Sequence, residues 1–102
     1  MSKALEDIAA ERARQISAEG WSAEHDDEHD KGEMTQAAVC YAMGRTRFGD
    51  AYGPEDLWPL AWDRSWWKPG AYRRNLVKAA ALILAEIERL DRASSAAISW
   101  KT

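Results

Sequence analysis

Apolar residues recur every three or four positions in three segments of the chain, which is the spacing of one face of an α-helix. The first segment covers residues 3–19, with Ser2 as its predicted N-cap and Gly20 as the left-handed residue that ends it. The second begins at about residue 24, although the pattern leaves that boundary open. Its predicted buried face comprises Met34, Ala37, Ala38 and Tyr41.

The third segment, Tyr72–Arg92, has the clearest helical pattern, and residues 93–102 are predicted to be a frayed tail whose Trp100 could dock. No segment has the alternation that predicts a strand. We therefore expect one all-α domain over residues 1–102, with three main helices. The last helix is apolar over more surface than so short a chain can cover, which predicts a homo-oligomer. Its central stripe comprises Leu76, Ala80, Ile83, Ile87 and Leu90.

A long, ordered loop rich in tryptophan and arginine, pinned by its aromatic residues, is predicted between the second and third helices. Gly44–Pro54 breaks the helical pattern, and a short helical turn is predicted at Glu55–Ala61. The loop is interpreted as a binding surface, because aromatic rings stack on bases and basic side chains bind phosphate. The alternative is that its tryptophans cover the open end of the helical bundle. The predicted ligand-binding residues here are Trp62, Trp66, Trp67, Lys68, Arg73 and Arg74.

The overall charge and composition argue against several classes of function. The chain has 102 residues, a net charge of −3 and a pI near 5.4. This acidic balance argues against non-specific binding to duplex nucleic acid. A single cysteine, Cys40, cannot form an internal disulfide, which fits a reducing cytoplasm, that of the host if the protein is phage-encoded. No apolar window approaches the roughly 20 residues of a membrane span.

An acidic stretch leads directly into the apolar part of the second helix. Spacings of three and four residues would bring Asp26, Asp30 and Glu33 to one helical side, where their carboxylates could bind Mg²⁺ or Mn²⁺. His25 and His29 make a transition metal possible as well. The alternative is a solvated helix start whose acids favour the positive end of the helix dipole.

Arg12 lies on the apolar stripe of the first helix, between Ile8 and Ile16. One interpretation is that its aliphatic stem packs while its guanidinium reaches water. The other is that the guanidinium faces inward, where its planar geometry suits a carboxylate or a phosphate. We expect Arg12 to be at least half buried and within salt-bridge reach of a carboxylate in residues 24–33, and to contribute to ligand binding.

The string HDKGEMTQA, from His29 to Ala37, resembles the first metal motif of the all-α NTP pyrophosphohydrolases, the MazG-like superfamily. The opening ERARQ at Glu11–Gln15 and the late helix from Leu76 to Leu90 are similar to phage-encoded relatives. The resemblance covers about two thirds of the chain. It implies a magnesium cluster between helices and attack of water on the α–β phosphate linkage of a nucleotide, with Asp30 and Glu33 as metal-binding acids.

The sequence departs from that family at two positions. His29 stands in place of the first acid, and Lys78 lies where the second motif requires acids. Lys78 shares a helix face with Arg74, and such a cationic wall could bind phosphates without metal. Besides a ligand-free helical interaction protein, two functions are therefore possible. One is a phage-type nucleotide pyrophosphohydrolase, for which no catalytic residue is assigned. The other is a non-catalytic sponge that sequesters a nucleotide-derived immune signal, an anti-defence protein.

Overall fold

The computed structural model describes residues 2–99, except for the side chains of residues 54, 55 and 95–99. Within that range it contains α-helices and short 3-10 turns but no β-strand. The 3-10 turns are Met43–Arg45 and Arg64–Trp66. The α-helices are α1 Lys3–Ser17, α2 Ala23–Asp27, α3 Glu33–Ala42, α4 Arg47–Ala51, α5 Pro54–Leu57 and α6 Tyr72–Ser99.

The predicted all-α fold is confirmed, and α1, α3 and α6 are its three main helices. Both α1 and α3 pack against α6, which is the longest helix and the centre of the domain. The connection between α3 and α6 holds α4, α5 and the tryptophan-rich loop. The predicted break at Gly44–Pro54 contains the short helix α4, because the Thr46 side chain accepts a hydrogen bond from the Gly49 N–H and caps it.

The predicted capping residues lie at the ends of the first helix, although α1 ends at Ser17, two residues before the predicted end at residue 19. The Ser2 hydroxyl accepts a hydrogen bond from the Leu5 N–H, and Gly20 adopts the left-handed conformation at φ 74°. Ser22 then caps α2. The sequence pattern also allows one unbroken second helix from about residue 24. In the structure α2 ends at Asp27. Gly32, at φ 79°, turns the chain before α3 begins.

The interface between α3 and α6 forms the core. The predicted buried face of α3 is confirmed, with Met34 at 1 % and Ala37 at 0 % exposed. Alanines on both helices allow their backbones to approach closely, and the long side chains of Met34 and Leu82 fill the space between. Cys40 is also buried on α3. The α6 residues in this core are Ala79, Leu82 and Ala85, and Val77 and Ala81 are buried outside it.

The C-terminal part of α6 continues to Ser99, beyond the predicted helix end at Arg92. No glycine or proline interrupts residues 93–99, so nothing in the local sequence ends the helix there. The rest of the predicted frayed tail, including Trp100, lies outside the described residues. None of the described helices is both long enough and apolar enough to span a bilayer.

The predicted stripe of α6 faces away from this core. Leu76, Ile83, Ile87 and Leu90 are between 39 % and 52 % exposed. With Ala80 they are spaced alternately by four and three residues, which is the repeat of a helix that packs along a second helix. The buried face of α6 lies on its other side because α1 and α3 both pack there. The predicted homo-oligomer would cover this stripe.

Replacing Ile83 and Ile87 together with glutamate is expected to convert an oligomeric wild-type protein to a monomer. Charges in a buried helical seam are strongly unfavourable, whereas on the isolated chain both positions are half exposed and tolerate them. Sedimentation equilibrium would report the mass, and circular dichroism would report the helix content. Val39→Glu is the matched control, since Val39 is equally exposed on α3, outside the stripe. A wild-type protein that stays monomeric at high concentration would contradict the prediction.

Candidate functional site

A buried ion pair joins α1 to α2. Arg12 Nη2 donates to Asp26 Oδ2 over 2.6 Å, and Arg12 Nε donates to Glu88 Oε1 of α6 over 3.0 Å. Arg12 is 7 % exposed and Asp26 is 1 % exposed. The prediction that Arg12 faces inward and pairs with a carboxylate of residues 24–33 is confirmed. Its guanidinium binds the protein's own carboxylates here, and a role in ligand binding stays a prediction.

The three acids predicted to bind metal have different neighbours. Asp26 is held by the ion pair. Glu33 accepts a hydrogen bond from the backbone N–H two residues before it, over 2.6 Å, and Asp30 lines an open groove beside two arginines of α6. Among the described side chains, no group of three or more histidine, cysteine, aspartate or glutamate residues is arranged to hold a metal ion. The Mg²⁺ or Mn²⁺ site at these acids stays a prediction.

The tryptophans of the loop pack against one another and against α3. Trp58 and Trp62 are each 4 % exposed, and their ring centroids are 5.6 Å apart in an edge-on arrangement. Trp66 and Trp67 lie partly buried at the edge of this cluster. Trp67 lines a separate groove beside Cys40. Stacking of Trp62 on a ligand base would require that its ring leave the core.

Tyr41 anchors the loop to α3. Its hydroxyl donates to the Trp66 carbonyl over 3.2 Å and accepts from the Lys68 N–H over 3.0 Å. Trp66 and Lys68 are thereby held beside α3. The loop is ordered and pinned by its aromatic residues, as the sequence predicts.

A small polar cavity lies between α1, α6 and the loop, with room for about one water molecule. Aromatic rings form one side and charged groups form the other. This arrangement combines the two kinds of group that the sequence predicts for a nucleotide ligand. The residues around the cavity are Glu11, Arg14, Gln15, Glu19, Trp21, Tyr41, Trp66, Lys68, Lys78 and Leu82.

Lys78 is the least compensated charge at this cavity. Its Nζ donates to the backbone carbonyl of Lys68 and lies 5.6 Å from the centroid of the Tyr41 ring. Among the described side chains, no carboxylate lies within ion-pair distance of it. Burial, together with the nearby positive charge of Arg74, lowers the pKa of Lys78 below its ordinary value of 10.5. An anion placed here would therefore meet a partly desolvated ammonium group.

Glu11 is the buried acid of the cavity, with no exposed side-chain surface. Burial acts to raise the pKa of Glu11, but hydrogen bonds and charge from Arg14 and Arg74 outweigh it, and the pKa lies below 4.5. Arg14 Nε donates to the Glu11 carboxylate over 2.8 Å, and the Gln15 Nε2 atom donates to the same carboxylate over 3.3 Å. The Gln15 Oε1 atom is buried and has no hydrogen-bond partner among the described atoms.

The other predicted cations all have acidic partners. Lys68 pairs with Glu19 over 2.9 Å, and Arg73 pairs with Asp7 over 2.8 Å. Arg74 pairs with the buried Glu11. Of the predicted ligand-binding residues, the structure brings Trp66, Lys68, Arg74 and Lys78 to the cavity region, and it leaves Arg12, Trp62, Trp67 and Arg73 elsewhere.

Several cavity residues on α1 were not among those predicted. Glu11 and Gln15 are each 2 % exposed, although they are polar. Their positions continue the spacing that begins at Ile8, so the inner face of α1 changes from apolar to polar within one turn. Polar residues on a predicted inner face are the signal that could have identified them. The aromatic wall of the cavity had no comparable signal, because it forms only when α3 meets the loop.

Comparison of the chain with models of protein families, with curated proteins and with solved structures finds no match.

Proposed function

We propose that this protein binds a small anionic ligand of the nucleotide class at the cavity between α1, α6 and the loop. The observation that carries this proposal is Lys78, a partly buried ammonium group that has no carboxylate partner among the described side chains and lies beside aromatic rings. Charge-assisted hydrogen bonds to phosphate are strong in such a setting, and aromatic faces bind bases of any sequence.

Trp66 and Trp21 supply the aromatic surface at the cavity. Their ring centroids are 5.9 Å apart, and the rings are inclined by 56°. Trp66 is only partly buried, and it lies on the loop, where the Tyr41 hydroxyl holds its carbonyl. A base would stack on Trp66, while the phosphates would face Lys78 and Lys68.

Entry of a nucleotide requires that the loop move away from α1, because the closed cavity holds only about one water molecule. The main ionic contact across that gap joins Lys68 to Glu19 over 2.9 Å, and the lysine side chain is 54 % exposed. Exposed ion pairs contribute little to stability, typically about 0–1 kcal/mol. Breaking this pair would cost little and would free a second cation for the ligand.

The pairing of carboxylates with arginines favours nucleotide binding without hydrolysis. Two-metal phosphoryl chemistry needs several free carboxylates to hold the ions. In this structure Asp26 and Glu88 contact Arg12, and Glu11 contacts Arg14 and Arg74. A protein that binds a nucleotide and releases it unchanged would sequester it, as expected of a sponge for a nucleotide-derived signal.

The test is to incubate the protein with Mg²⁺ and a panel of nucleoside triphosphates, a cyclic dinucleotide and cyclic ADP-ribose, and to analyse the nucleotide by chromatography. Intact ligand that is recovered only after the protein is denatured supports sequestration. Accumulation of monophosphate and pyrophosphate would instead identify a pyrophosphohydrolase. No retention of any nucleotide would reject the proposal.

Lys78→Met is expected to weaken binding of a retained nucleotide by about tenfold or more, since it removes a charge-assisted hydrogen bond. The variant keeps the length of the side chain and removes an ammonium group that is partly desolvated. Lys31→Met is the matched control, because Lys31 is exposed and lies away from the cavity. Isothermal titration calorimetry of both variants gives the affinities. Equal affinities for the two variants would show that the ligand binds elsewhere.

A further inference from the structure

A pair of histidines lies on the far side of Trp21 and Trp66 from the cavity. Ser22 caps α2 through the His25 N–H, over 3.2 Å, and the His29 N–H bonds back to the Asp26 carbonyl over 3.0 Å. The turn therefore continues past the end of α2, and it brings the two imidazoles to the same side. Their ring centroids are 4.7 Å apart, and their Nε2 atoms are 3.5 Å apart.

We propose that His25 and His29 form a chelating site for a divalent transition-metal ion of the Zn²⁺, Co²⁺ or Ni²⁺ class. Two imidazole nitrogens bound to one metal at about 2.0–2.1 Å and at a tetrahedral angle are about 3.4 Å apart. The observed Nε2 separation of 3.5 Å is close to this value, and the two rings, now inclined by 74°, would rotate so that both nitrogens face the ion. Imidazole ligands favour these metals over Mg²⁺, which prefers oxygen.

Each histidine has a carboxylate beside its second ring nitrogen. His29 Nδ1 lies 3.5 Å from Glu33 Oε2, and His25 Nδ1 lies 3.7 Å from Asp26 Oδ1. A histidine that binds metal through one nitrogen commonly directs the N–H of the other toward a carboxylate, which fixes the ring and its tautomer. His25 Nδ1 is buried and has no hydrogen-bond partner among the described atoms, so a small shift toward Asp26 would satisfy it.

Metal binding would change the hydrogen bond between Trp62 and His29. The Trp62 Nε1–H donates to His29 Nδ1 over 3.3 Å, which places the proton of a neutral His29 on Nε2, facing His25. When Nε2 binds the metal, that proton moves to Nδ1, which can then donate to Glu33. No proton is gained or lost, and the Trp62 N–H loses its acceptor. Tryptophan fluorescence is therefore expected to report binding.

The two imidazoles are partly exposed. The His25 and His29 side chains are 26 % and 14 % exposed, so an ion can reach them. The described chain supplies no third histidine, cysteine or carboxylate to this group, so water or an exogenous ligand would complete the coordination. The proposal does not depend on nucleotide binding, because its ligands lie outside the cavity lining.

Titration of the wild-type protein with Zn²⁺ and with Ni²⁺, followed by calorimetry and tryptophan fluorescence, tests the site. His29→Ala and His25→Ala are each expected to weaken the affinity by about tenfold or more, since each removes one arm of the chelate. Glu28→Gln, an exposed acid between the two histidines, is the matched control and should keep the wild-type affinity.

The absorption spectrum of the Co²⁺ complex provides a second readout that needs no variant. Visible bands of imidazole-bound Co²⁺ with the wild-type protein support the site, even if a histidine variant fails to fold. Absence of Zn²⁺ binding by the wild-type protein, or equal affinities in all three variants, would overturn the proposal.

Discussion

Replacing Arg12 with alanine is expected to lower the free energy of unfolding by about 3 kcal/mol, because the change leaves the buried Asp26 carboxylate without its cation. Asp26 is 1 % exposed, so water cannot take the place of the guanidinium without disturbing the packing of α2 against α6. In a domain of this size each kcal/mol lowers the melting temperature by roughly 4–8 °C. The loss should therefore be evident in a simple thermal melt.

The measurement is urea unfolding of the wild type and the variant, followed by circular dichroism. Arg92→Ala is the matched control: Arg92 pairs with Asp27 over 2.7 Å, but both side chains are substantially exposed, at 35 % and 49 %. That exposed pair is expected to contribute less than about 1 kcal/mol. Replacing Arg12 and Asp26 together with methionine and leucine should recover much of the loss, because no buried charge is left unpaired. Glu88, the other partner of Arg12, is 44 % exposed and stays in contact with water. Similar losses for Arg12→Ala and Arg92→Ala would contradict this account.

Trp58→Ala is expected to destabilise the fold by roughly 3–5 kcal/mol, as large aromatic truncations in a core do. Trp58 is 4 % exposed and contacts Tyr41, Trp62 and Trp67. The cavity left behind would lie between α3 and the loop, beside Tyr41 and Trp67. The destabilised variant should also lose order in the loop, which limited proteolysis would detect.

Trp58→Phe is the comparison that separates packing from hydrogen bonding. The Trp58 Nε1 atom is buried and has no hydrogen-bond partner among the described atoms, so phenylalanine removes an uncompensated donor along with part of the ring. The loss of stability should be less than half of that for alanine. Leu60→Ala provides the surface control, because Leu60 is fully exposed and its truncation should change stability by less than about 0.5 kcal/mol. A Trp58→Ala protein as stable as Leu60→Ala would show that this ring is not part of the core.

The sequence by itself determined the class of the fold and much of its local structure. Ser2, Gly20 and Ser22 act through hydrogen bonds or backbone conformation within a few residues, so their effects can be predicted from neighbouring positions alone. The inward position of Arg12 and its pairing with the acidic stretch were also predicted, although Ile16 of the same stripe is 45 % exposed, so the apolar stripe is not what buries Arg12. The existence of one ordered, aromatic loop followed from composition.

Only the tertiary structure decided which faces and charges meet. The stripe of α6 from Leu76 to Leu90 is the most regular in the chain, yet it faces outward, since the positions of α1 and α3 determine which side is covered. The pairing of Glu11 with Arg74 joins residues 63 positions apart. Helix periodicity and capping are local properties, whereas the pairing of distant side chains depends on how the finished helices pack.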